Sequence, residues 1–237
     1  MILHLVTRPT VDCEPLVSDL RSMGRTVLCD PVIEIEYYPD KDIDFTGVQA
    51  FVITSANGVR ALRQYPVSRD VPVYCVGDAS ATEARKSGFG KVFSAQGDVA
   101  NLATLVCKQL NPHAGLLFHP AASELAGDLK GDLERSGFDY QREILYSATA
   151  SRALLTTTIN QFKSHNIKEI SFYSPRSSKI FSQLITASGL NLTLAGCRIF
   201  CLSSAVSESL RAFDQAEIYT AAEPTGDAMK QLIMKNS

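Results

Sequence analysis

No stretch of this chain approaches the ~20 consecutive apolar residues that a bilayer-spanning helix needs, and no run of Lys and Arg is available to neutralise a phosphate backbone. The 237 residues carry a formal net charge of −2 and an isoelectric point near 6.1, so neither nucleic acid nor an anionic membrane is expected as a partner. The first residues, MILHLVTRP, lack the apolar core of a signal peptide, and the cytoplasm is the expected location. Motifs are missing too. There is no GxxxxGKS/T phosphate loop, no GxGxxG dinucleotide turn and no GxSxG nucleophile elbow. His4, His113, His119 and His165 fall at no metal-ligand spacing, and no metal site is expected. None of the six cysteines (Cys13, Cys29, Cys75, Cys107, Cys197, Cys201) forms a CxxC pair, and most sit inside apolar runs. That pattern predicts buried free thiols rather than a disulfide framework.

What the chain does have is one unit repeated six times: a short apolar strand, a small polar turn, and a helix opening from the turn. The copies read LHLVTRPT, AFVITSANGV, VYCVGDASAT, LLFHPAASEL, ISFYSPRSSK and IFCLSSAVSE. Each start leaves backbone N–H groups without intrahelical partners, and such ends hold anions well. The turns carry Thr7-Arg8, Ser55 and Asn57, Asp78 and Ser80, Ser123, Ser174 with Arg176, and Ser203-Ser204, with Pro224-Thr225 before the last helix. Each hydroxyl can equally be a helix cap worth ~1 kcal/mol and nothing more. The set points to a polyanionic ligand, because parallel α/β sheets bind ligands at the carboxyl ends of their strands. Arg8 and Arg176 stand beside such turns and could grip carboxylates, or be solvated surface cations.

Alternation of strand and helix predicts an α/β fold with four or five parallel strands in each half. Helices are expected over Asp12–Met23, Asn57–Gln64, Ser80–Lys86, Val99–Gln109, Glu124–Arg135, Ala153–His165, Ser177–Ala187 and Ser204–Phe213, with a last one from Thr225. Two stretches break the rhythm. Val32-Ile33-Glu34-Ile35-Glu36-Tyr37 alternates apolar and acidic residues like a two-faced strand, and the stretch from Gln141 to Thr149 alternates similarly. They read as two bridges flanking a central block, so the chain crosses between domains once and returns. Tyr146 lies in the second bridge, where a cleft between two domains would have its back wall; its phenol can donate a proton or merely pack.

In this order and spacing, VTRP, PVIEI, FVITSANGVRAL, VYCVGDASATEARKSGF, REILYSA, ISFYSPRSSKIF and AAEPTGDAMKQLI resemble the uroporphyrinogen-III synthase family over nearly the full length. The resemblance implies two parallel-sheet α/β domains joined by a two-stranded antiparallel linker, with an active-site cleft between them. Residues 1–34 plus 149–237 would form one domain, 38–143 the other, and 35–37 with 144–148 the linker strands. It implies a lyase that cyclises hydroxymethylbilane to uroporphyrinogen III, inverting ring D and releasing water, without metal or organic cofactor. The substrate is then a linear tetrapyrrole with eight carboxylates; a monomer is expected, and a transient contact with hydroxymethylbilane synthase is allowed. Tyr146 falls on the family's candidate acid. Ser55, Ser80 and Ser174 fall on cleft-facing hydroxyls, and Thr7, Arg8 and Thr225 on cleft turns, with Asn57, Arg176 and Ser203 joining the substrate-binding set. One departure stands out: many members carry a Gly and paired threonines where this chain has Ser203-Ser204-Ala205-Val206. A non-catalytic receptor for a small polyanion, or a sugar-nucleotide transferase, would share the turns but give no isomer-specific cyclisation.

Overall fold

Apolar runs of three to seven residues alternate with amphipathic helices along most of the chain, and a run of this kind buries both its faces by pairing in parallel under helices. The computed structural model describes residues 2–124 and 127–236. In chain order the first elements are β1 (Ile2–Val6), α1 (Thr10–Ser22), β2 (Arg25–Cys29), β3 (Ile33–Tyr37), β4 (Val48–Ile53), α2 (Ala56–Leu62), β5 (Val73–Cys75) and α3 (Asp78–Lys86). Then come β6 (Val92–Ser94), α4 (Val99–Gln109), β7 (Leu116–Ala122), α5 (Leu129–Arg135), β8 (Tyr140–Ala150) and α6 (Thr156–Lys163). The chain closes with β9 (Ile167–Phe172), α7 (Pro175–Ala187), β10 (Arg198–Cys201), α8 (Ser204–Ser207), β11 (Glu217–Thr220) and α9 (Gly226–Lys235).

These elements form two compact units, Met1–Glu34 with Thr149–Ser237, and Ile35–Ala148. The first unit holds a five-stranded sheet in the order β11-β10-β9-β1-β2, parallel throughout. The sheet of the second follows β3-β8-β7-β4-β5-β6, and the run from β8 to β6 is parallel. Its sixth strand is β3, which rides on β8 in the opposite sense: Tyr38 N–H donates to the Leu145 carbonyl and Ser151 N–H to that of Val32. The alternation in β3 has its expected cause, since Glu34 and Glu36 are exposed while Ile33 is buried and Ile35 packs on the core.

Aromatic packing fills the second unit. Phe118 lies 6.1 Å from Phe51 and 5.0 Å from Phe45, which also meets Tyr65, and Phe89 closes on Phe51. Each fully buried ring of this kind contributes about 1.5–3 kcal/mol. In the first unit Val6, Leu16, Leu20, Phe200, Met229 and Ile233 pack together, and the rings of Phe172 and Phe181 meet at a tilt, centroids 5.0 Å apart. That unit also buries charge. Glu169 accepts from His4 Nδ1 at 2.9 Å and Arg25 Nε at 3.0 Å, and pairs with Arg198 Nη2 at 2.9 Å. Arg25 goes on to the carbonyls of Met23 and Ile233, tying α9 to the sheet.

Several expectations need correction. Cys13 and Cys29 form a disulfide, because Cys13 lies on the sheet-facing side of α1 and that helix runs back over β2, whose last residue is Cys29. Spacing in sequence carried no sign of it. Cys75, Cys107, Cys197 and Cys201 are free thiols; three are buried and Cys107 is exposed. Helix α6 covers only Thr156–Lys163, and the stretch expected as one helix over 204–213 is the single turn α8 followed by a 3-10 turn at Glu208–Leu210. Helix α5 starts at Leu129, where the Asp128 carboxylate accepts from Gly131 N–H; of the helix start expected at Glu124, residues 125 and 126 lie outside the described residues.

Candidate functional site

In the first unit, β1, β9 and β10 are neighbours and end level, with Val6 opposite Ser171 and Cys201 opposite Phe172. The turns that follow them therefore line one edge of the sheet. Thr7 is buried there and donates to the Ser171 carbonyl at 3.4 Å, so its hydroxyl joins two strands rather than capping α1. Arg8 pairs with Asp12 at 3.2 Å and lies 4.7 Å over the ring of Tyr173, whose phenol burial pushes up to about 12. Ser174 caps α7 by accepting from Ser177 N–H, and Thr225 caps α9 by accepting from Ala228 N–H. Arg176 is exposed on the first turn of α7. Ser203 stands at the cap position of α8 without a capping hydrogen bond.

In the second unit Ser80 is buried on α3 against the sheet, one turn past a cap position that Gly77 fills. Ser55 caps α2 by accepting from Asn57 N–H at 3.2 Å. That helix comes unusually close to β7: a Cβ on Gly58 would stand 2.7 Å from the Pro120 carbonyl oxygen, so only glycine allows the approach. The neighbouring strand, β8, places Tyr146 opposite Ala122 of β7. Tyr146 is 3% exposed. Burial raises the pKa of its phenol, and the Ser55 hydrogen bond works in the opposite direction. The ring of Tyr37 leans on that of Tyr146, centroids 6.3 Å apart. Its hydroxyl donates to Asn57 Oδ1 at 3.1 Å, and Arg60 Nη1 donates to the same oxygen at 2.9 Å while its Nη2 pairs with Glu83 at 3.1 Å.

The structure thus brings Tyr146, Ser55 and Asn57 together in one cluster and adds Tyr37, Arg60 and Glu83, which sequence reasoning missed. Two of the three left a trace. Tyr37 shares a face of β3 with Ile33 and Ile35, and Arg60 stands three residues beyond Asn57 on α2, hence on the same side. Glu83 comes from another helix and left none. Nearby, His119 Nδ1 lies 2.5 Å from the Tyr140 hydroxyl and Nε2 lies 3.1 Å from Thr54 Oγ1; burial, helped by the Arg142 charge, lowers its pKa to about 4. Among the described residues no group of three or more His, Cys, Asp or Glu side chains is gathered as a metal site would require. Nor is any described helix long and apolar enough to cross a membrane.

Two α/β units with polar side chains at the ends of parallel strands define a class of fold that takes its ligands at strand termini. A family model described as Uroporphyrinogen-III synthase HemD matches residues 14–231, and the chain belongs to the uroporphyrinogen-III synthase family, enzymes of tetrapyrrole biosynthesis that act as cyclising lyases. No curated protein matches the chain. Among solved structures, the uroporphyrinogen-III synthetase of Helicobacter pylori is similar over 100% of both chains, at 16% identity and a TM-score of 0.65. A mutant uroporphyrinogen III synthase of the extremely thermophilic bacterium Thermus thermophilus is similar over 100% of this chain and 97% of its own, at 12% identity and a TM-score of 0.57. At such identities the likeness is one of fold.

Proposed function

We propose that this chain cyclises hydroxymethylbilane to uroporphyrinogen III, with Tyr146 as general acid. The family match across residues 14–231 carries the reading, and the environment of Tyr146 supports the role. Burial keeps the phenol protonated at neutral pH, as an acid must be before it acts, and the Ser55 hydrogen bond stabilises the phenolate that forms once the proton has left. The proton goes to the terminal hydroxyl of the bilane, which departs as water, and the electrons of the adjoining pyrrole nitrogen stabilise the cation left behind. The substituted carbon of ring D then attacks that cation to give a spiro intermediate; the bond from this carbon to the methylene of ring C breaks, the methylene re-bonds at the free α carbon of ring D, and that carbon loses its proton, which balances the one the acid gave. Holding the chain for that attack is the larger part of the task. Ser174 and Thr225 in the first unit and Ser55 in the second contribute to it by ordering the turns that receive the carboxylates, and Thr7, Ser203, Asn57 and Ser80 would add polar groups beside those turns. Arg8 and Arg176 would add charge at the first unit's turns.

In this reading the protein works as a cytoplasmic monomer. The test supplies fresh hydroxymethylbilane and resolves product isomers by chromatography after oxidation. Formation of the type III isomer supports the reading; product that stays type I, as in the unaided reaction, overturns it. Tyr146→Phe is expected to lower kcat by about 10²–10³-fold with KM nearly kept. Unchanged kcat would reduce the ring to packing.

A further inference from the structure

An amide side chain has one end that accepts and one that donates, and Asn57 has its ends fixed. The guanidinium of Arg60 can only donate, so the atom 2.9 Å from its Nη1 is the amide oxygen, and the Tyr37 hydroxyl donates to that oxygen at 3.1 Å. With both lone pairs of Oδ1 taken, Nδ2 points away from both partners and offers two N–H groups without an acceptor. Such a group fits a carboxylate. Arg60 is not left to grip a ligand itself, because its second nitrogen is held by Glu83 at 3.1 Å and both side chains are largely buried. Ser55 holds the Asn57 backbone by accepting its N–H at 3.2 Å, and the ring of Tyr37 leans on that of Tyr146, so the amide stands beside the phenol.

We infer that Asn57 receives a substrate carboxylate through Nδ2–H, and that Tyr37 and Arg60 are positioning residues that set the direction of its amide. The inference rests on the proposed cyclisation and adds the chemical class of the group taken at this point of the site. It calls for steady-state kinetics with hydroxymethylbilane and isomer analysis of the product. Asn57→Asp keeps an oxygen for Tyr37 and Arg60 but turns an oxygen instead of an N–H group toward the carboxylate; KM is expected to rise about tenfold or more, while kcat falls less than threefold. Tyr37→Phe alone is expected to raise KM about two- to fivefold, and to add nothing further in an Asn57→Ala background, since its effect passes through the amide. If Asn57→Asp does not fold, the Tyr37→Phe and Asn57→Ala pair decides the matter. Unchanged KM in folded Asn57→Asp, or equal Tyr37→Phe effects with and without the amide, overturns the inference alone. Wild-type protein that yields only the type I isomer overturns the functional reading, and this inference with it.

Discussion

The two units share one rhythm and bury their polar groups in opposite ways. In the first, a carboxylate at the centre of the sheet is surrounded by two guanidiniums and an imidazole, and a disulfide fastens α1 to the end of β2. In the second, a histidine is held neutral between a phenol and a threonine hydroxyl, and aromatic rings fill the core on the other face of its strand. The turns differ in parallel. Ser174 and Thr225 hold their own helices' backbone groups, whereas Tyr146, Ser55, Asn57, Tyr37 and Arg60 reach one another from two strands and a helix. A repeated strand-turn-helix unit thus supplies a scaffold in both places, and in the second unit it also gathers Tyr37, Asn57 and Arg60 beside Tyr146.

The sharpest way to break this contrast is to remove the buried charge. Glu169→Gln leaves Arg25 without its counter-charge in the interior and is expected to cost about 3–5 kcal/mol, read by denaturant unfolding, with amide exchange rising in β1, β9 and β10 first. Equal loss of protection in β4 and β7 would show that the units do not divide as described. Acid tests the neutral histidine. The unfolded chain protonates His119 at its ordinary value of 6.5, while the folded chain resists down to about 4. Its contribution to stability is therefore full above about pH 6.5 and is lost as pH falls toward 4, a difference on the order of 3 kcal/mol. His119→Gln should flatten that slope, and a slope left intact would assign it elsewhere. His4 acts in the same direction, since burial lowers its pKa too.

Opening the Cys13–Cys29 loop by replacing both residues with Ser is expected to cost about 3 kcal/mol, in keeping with a loop of this length, with faster amide exchange confined to α1 and β2. Thermal midpoints identical in reducing and oxidising buffer would remove the clasp from the account. The smallest effect is local. Gly58→Ala pushes α2 off the Pro120 carbonyl, and about 1–3 kcal/mol is expected from the overpacking. A crystal structure of that variant with α2 unmoved would refute the close-approach argument.

Much of the fold is legible because it depends on local pattern. Apolar runs ending at Ser, Thr or Gly marked the strand ends, and the Glu34-Ile35-Glu36 alternation marked β3 because one of its faces meets solvent. What stayed hidden depends on distance. Nothing local pairs Cys13 with Cys29, Glu169 with Arg25, or Arg60 with Glu83; helices running back over sheets make those meetings. The 204–213 stretch misled for a different reason. Val206, Leu210 and Phe213 keep a helical spacing, but Ser203 provides no side-chain cap and the segment tightens after one turn. At the candidate site, Tyr146 and Asn57 were readable as residue types at strand and helix starts, but the direction of the Asn57 amide was not. It is set by Arg60, one turn further along α2, together with a tyrosine twenty residues earlier in the chain.

The strand order of the first unit also sets a timetable. Strand β1 lies between β2 and β9, so one of its edges has no partner until residue 172 has been synthesised, and Arg25 and His4 wait as long for Glu169. The second unit, whose residues run from Ile35 to Ala148, is complete on the ribosome well before that. Synthesis from the amino end therefore delivers the unit carrying Tyr146 first, while one edge of β1 waits for β9.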